Sequence, residues 1–173
     1  MQKFIAAYQN KTAENSARLN EQLSSPEFRD ELYKSIPTKP DPSYRELVLE
    51  LFEQEMTFRE QLWEEEVEDP NDLFENIYLC AFLIYQMGFA EDVYILWDAK
   101  YLNMDVGSEL DAQYFVGAGL EETLKFLETS TNEEAADISA YIQSWFRSDR
   151  REVEALKSWE LSRIEYFGRN AGG

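Results

Sequence analysis

Residues 72–88, DLFENIYLCAFLIYQMG, decide the fold. Leu73, Phe74, Ile77, Tyr78, Cys80, Ala81, Phe82, Ile84 and Tyr85 cover most of the circumference of a helix run from 72 to 87. A helix that is apolar on nearly all sides is buried on all sides, so this one is read as the central helix of a domain. Gly88 follows as its C-terminal cap, because glycine adopts the left-handed conformation that ends helices. The apolar run is too short for a membrane span, which takes about 20 residues.

The segments on either side carry helical signals. Upstream, Asp69-Pro70-Asn71-Asp72 reads as a turn with an N-cap. Before it, a helix is expected from about Tyr44 to Glu68, capped by Asp41 or Ser43. Leu47, Leu51, Gln54, Phe58 and Leu62 keep helical spacing along it, flanked by Val48, Phe52, Glu55 and Arg59, while the opposite face is nearly all glutamate. PTKPDP (37–42) holds three prolines in six residues and cannot continue a helix. It is read as a linker joining an N-terminal helical hairpin (1–36, with helices at 12–24 and from Pro26 onward) to a main bundle (43–167).

Downstream, helices are expected at 90–102, 109–116 and 120–128. Residues 103–108 are read as a loop and Gly117-Ala118-Gly119 as a break. A further helix is expected after a capping-box-like start near Thr131, and a last one over 148–167. Residues 168–173 are read as a frayed tail. No stretch shows sustained strand alternation. The expectation is one all-α domain of seven or eight helices, joined by short loops that favour antiparallel packing. A helical-hairpin array is the variant of that plan.

Charge is distributed unevenly. Residues 41–144 carry 25 acidic side chains against four basic ones (Arg45, Arg59, Lys100, Lys125), a balance of −21. Residues 1–40 and 145–173 each hold six bases and five acids, which completes the net charge of −19. Such a field repels phosphate backbones and anionic lipid surfaces and attracts cationic partners. Neither a nucleic-acid nor a membrane partner is expected. Arg147, Arg150 and Arg151 form the basic cluster of the chain, read as pairing internally.

The chain has no histidine and one cysteine. This excludes Ser-His-Asp and Cys-His nucleophilic systems, histidine or thiolate zinc sites and iron–sulfur clusters. Cys80 lies in the apolar run and is read as a small core residue. With no secretory signal evident, these features point to a soluble, cytoplasmic protein. No cofactor or metal is expected and the chain is read as a non-enzyme, although carboxylates with magnesium remain an alternative.

Two places carry candidate function. The first is the acidic run EEEVED (64–69) with Trp63. Acids at a helix C-terminus oppose its dipole, at a cost of about 0.3 kcal/mol or more each. Glu53, Glu60, Trp63, Glu64, Glu65, Glu66, Glu68 and Asp69 are therefore candidates for a surface that docks lysine and arginine, with Trp63 as anchor. The alternative is a solvated helix face with Trp63 in the core. The second place is 97–127, where Asp98, Asp105 and Asp111 are a second candidate patch for partner docking, and where Asp98, Asp105, Asp111 and Glu121 could alternatively line a cleft and serve a carboxylate-based, magnesium-dependent enzyme. The alternative there is that these acids cap helices and pair with Lys100. Gly117 and Gly119 are expected to supply a left-handed turn or a close helix approach. Trp145, Phe146, Trp159, Tyr166 and Phe167 are expected in the core.

The same segment carries a family pattern: W-D-A-K-x-x-N-x-D from Trp97, D-A-Q-x-x-V-G-A-G from Asp111, then E-E-T-L-x-x-L from Glu121. It resembles small acidic bacterial immunity proteins of polymorphic toxin and contact-dependent inhibition systems. That resemblance implies a cytoplasmic protein that binds and neutralises one cognate, basic toxin domain, and it transfers no functional residue. The acidic surface is the feature that would do this. A helical adaptor or regulatory protein is the remaining alternative.

Overall fold

The computed structural model describes residues 1–146 and 150–170, with the side chains of 150–153 and 169–170 outside the description. The fold is all-α. The described residues form ten α-helices, with short 3-10 turns in four of the connections: α1 Gln2–Gln9, α2 Ala13–Leu23, α3 Pro26–Tyr33, α4 Arg45–Trp63, α5 Asn76–Met87, α6 Val93–Lys100, α7 Met104–Glu109, α8 Leu120–Thr129, α9 Ala135–Trp145 and α10 Arg150–Asn170. None is long and apolar enough to cross a membrane.

Helix α5 sits at the centre, as its composition requires. Ile77, Cys80, Ala81, Phe82, Leu83, Ile84 and Tyr85 are all buried. It packs most extensively on α4, which contributes Leu47, Val48, Leu51 and Phe52 to the shared core. Cys80 donates its S–H to the Val48 carbonyl of that helix (3.3 Å). Burial pushes its thiol far above the ordinary range, so it packs as a core side chain. Gly88 ends α5 in the left-handed conformation (φ 72°), as expected.

The N-terminal segment is three helices rather than two. Helix α1 was legible in FIAAY, since Phe4, Ile5 and Tyr8 are buried at helical spacing. Helix α2 opens on a capping box between Thr12 and Asn15, and α3 on Pro26 after the Ser25 cap. Leu19, Leu23 and Leu32 join the same core as α4 and α5, so 1–36 packs into the bundle.

Other boundaries also differ from expectation; in place of the helix expected over 109–116, Glu109 ends α7 and a 3-10 turn follows at Ala112–Val116. Helix α4 stops at Trp63, five residues early. Helix α5 starts at Asn76, after a 3-10 turn at Leu73–Glu75 that Asp69, not Asp72, holds: the Asp69 carboxylate accepts the N–H groups of Leu73 (2.9 Å) and Phe74 (2.7 Å). The expected loop 103–108 is largely helix α7, capped by Asn103, which accepts the Val106 N–H (3.0 Å). The start of α9 is organised by Asn132, which accepts from Glu134, and not by Thr131. Helix α10 runs on to Asn170, past the expected end at Phe167; residues 171–173 lie outside the described residues.

The 117–119 break fulfils both glycine expectations, one at each residue. Gly119 is left-handed (φ 99°), while a Cβ on Gly117 would stand 2.4 Å from the Tyr85 carbonyl oxygen. Helix α10 closes on the bundle through aromatic side chains. Trp159 meets Phe82, Tyr85 and Tyr114 edge-on, and Phe167 packs on Phe82. Trp145 and Tyr166, expected in the core, are instead exposed.

Candidate functional site

The site is built from the end of α4. Its last buried residue is Arg59; one turn further, Trp63 stands 52 % exposed. The alternative that placed Trp63 in the core is therefore not what the fold adopts. On the outer face of α4, Glu53, Glu60 and Glu64 follow at spacings of seven and four and form one exposed stripe. Glu65, Glu66 and Glu68 are exposed in the turn that follows.

That turn has a specific geometry. The Glu66 N–H donates to the Gln61 carbonyl (2.9 Å) and the Glu65 N–H to the Leu62 carbonyl (3.2 Å). This pair of bonds is the Schellman arrangement, whose left-handed position belongs to glycine or asparagine. Here Glu65 occupies it, at φ 58°. Asp72, at φ 55°, is the other non-glycine with positive φ among the described residues, and it lies in the same connection. Left-handed backbone costs a non-glycine residue about 1–2 kcal/mol. Glutamate at this position keeps a fourth carboxylate in an exposed run at that cost.

Beside Trp63 lies a groove of about 300 Å³, lined by Arg59, Leu62, Trp63, Asp69, Phe74, Asn103 and Asp105. The two candidate patches of the sequence thus meet in part. Asp105, 69 % exposed at the start of α7, joins the Trp63 patch. Its carboxylate lies 3.5 Å from Arg59, whose buried guanidinium also donates to the Phe74 carbonyl (3.1 Å) and lies over the Phe74 ring. Asp69 lines the same groove, but both its oxygens already accept backbone N–H groups.

The remaining acids of 97–127 do not gather into one cleft. Asp98 is exposed on α6. Glu121 lines a separate hollow between α8 and α9. Asp111 is half-buried; burial raises its carboxyl above the usual range, opposed by the charge of Lys100. Lys100 itself caps α7 from below, donating to the carbonyls of Gly107 (2.8 Å) and Leu110 (3.1 Å). Among the described residues, no group of three or more Asp, Glu or Cys side chains is arranged to hold a metal ion.

Three of the four bases in the acidic stretch are committed internally. Arg59 and Lys100 are engaged as above, and Arg45 pairs with Asp92 and Glu91. They are therefore not free to neutralise Glu64–Glu68. The side chains of Arg147, Arg150 and Arg151 lie outside the described residues. Sequence reasoning missed Arg59, the buried wall of the groove, and Phe74, its exposed aromatic rim. Phe74 carried no distinguishing signal, because it reads as the first turn of the apolar helix. Among protein-family models, curated proteins and solved structures, none matches this chain.

Proposed function

We propose that the protein is a binding module of the immunity type, which docks a basic protein domain on the acidic turn after α4 and neutralises it. The observation that carries this reading is the exposed carboxylate run Glu64, Glu65, Glu66 and Glu68 around an exposed Trp63, held partly in left-handed backbone. Exposed aromatic anchors ringed by charge are common in protein interfaces. A field of one sign speeds association with an oppositely charged partner. A basic cleft that binds phosphate is the kind of surface such a module would occupy, and blocking it requires no catalytic group.

The test is affinity capture of partners from the source cells at low and high salt, using the wild-type chain and a Glu64→Lys, Glu65→Lys, Glu66→Lys variant. The expected result is one basic protein that is released by salt, lost with the variant, and inhibited in its own activity when the wild-type chain is added. A partner retained equally by the variant, or at high salt, would refute docking through this turn.

A further inference from the structure

We propose that the groove beside Trp63 receives an arginine side chain of the partner, whose guanidinium stacks on the Trp63 indole and pairs with Asp105; this rests on the docking reading above. Trp63 and Phe74 are both exposed at the groove. Among the described residues, neither ring is stacked on another aromatic ring, and the Trp63 side chain is about half exposed. Asp105 is mostly exposed, and its 3.5 Å approach to Arg59 is a charge contact longer than a hydrogen bond. Its oxygens therefore retain capacity for a further donor.

The molecule already uses this chemistry once. The Arg59 guanidinium lies 5.3 Å from the Phe74 ring centre while facing Asp105. A second guanidinium entering from outside would meet Trp63 and Asp105, which line the same groove. Arginine fits better than lysine because its planar head both stacks on a ring and bonds a carboxylate through two N–H groups. Cation–aromatic attraction is strongest for tryptophan. The acids of the adjoining turn supply the charge complementarity that selects a cation.

The experiment titrates the protein with an arginine octapeptide and a lysine octapeptide of equal charge at low salt. Affinity is followed by anisotropy, and the Trp63 indole N–H by NMR, assigned from its loss in Trp63→Phe. The arginine peptide should bind at least about fivefold more tightly and shift the indole resonance. Asp105→Asn and Trp63→Ala should each remove about that preference, with unchanged melting temperatures verifying the fold. Equal affinities, or an arginine preference that survives both substitutions, overturn the groove while leaving acidic-surface docking intact. Binding of neither peptide overturns both.

Discussion

Arg29 of α3 and Glu55 of α4 meet in the core, 26 residues apart in sequence, with Nε 2.7 Å from Oε1 and Nη2 3.1 Å from Oε2. Both are about 1 % exposed. Tyr33 donates a third bond to the carboxylate (3.1 Å), and Arg29 also donates to the Leu23 carbonyl that ends α2 (2.8 Å). One ion pair thus ties the N-terminal helices to the α4–α5 pair that carries the candidate site. Neither partner is stable there alone, because an unpaired buried charge is costly.

Removing one partner should therefore cost far more than removing both. Arg29→Ala is expected to lower unfolding free energy by about 3–5 kcal/mol, while Arg29→Met with Glu55→Leu should be near neutral. Urea denaturation of the two variants measures this. A single-variant loss below about 1 kcal/mol would mean that the pair behaves as a surface contact.

Glu65→Gly should stabilise the protein. Glycine relieves the left-handed strain of about 1–2 kcal/mol and gives back part of it as unfolded-chain entropy. The net gain expected is about 0.5–1 kcal/mol, seen as a higher melting temperature. If glutamate at 65 serves docking, the same variant binds the captured partner more weakly. A melting temperature that falls would show that the backbone there is not strained.

Gly117→Ala should destabilise by about 2 kcal/mol or more. The added Cβ would meet the Tyr85 carbonyl oxygen at 2.4 Å and the Tyr85 Cα at 2.9 Å. Both are backbone atoms, so no rotamer change on α5 relieves the contact. Thermal melting reads the effect directly, and an unchanged value would place Gly117 away from α5.

Stability should rise as pH falls from neutral toward the usual carboxylate range. Burial raises the carboxyls of Asp92 and Asp111, opposed by Arg45 and Lys100 respectively. A carboxyl raised in the folded state binds its proton more tightly there than in the unfolded chain. Its contribution is fully present below the unfolded value and is lost as pH rises through the folded one. Relief of the net charge of −19 acts in the same direction. Glu27 is held low by its own N–H and by Ser25, and Asp41 by Ser43; their contributions are lost only below the usual carboxylate range. Melting temperatures from neutral pH toward that range test the sign, and a monotonic fall over that interval would contradict it.

The sequence by itself determined that this is an all-α protein organised around 76–87, because an apolar run without alternation and longer than a buried strand buries itself as a central helix. It also determined the acidity of the middle of the chain, the ends marked by Gly88 and Pro26, and the absence of imidazole chemistry. Tertiary structure decided what spacing could not encode. Glu55 and Arg59 sit inside because partners from α3 and from the segment before α5 satisfy them, and hydropathy alone assigns such charges to the surface. Trp63 sits outside because α4 ends in a Schellman turn built on a glutamate, where local preference calls for glycine. Asp105 and Trp63, 42 positions apart in the chain, line one groove only because the start of α7 packs beside the end of α4. Such proximity arises from the long-range packing of side chains, which leaves no local periodicity to read.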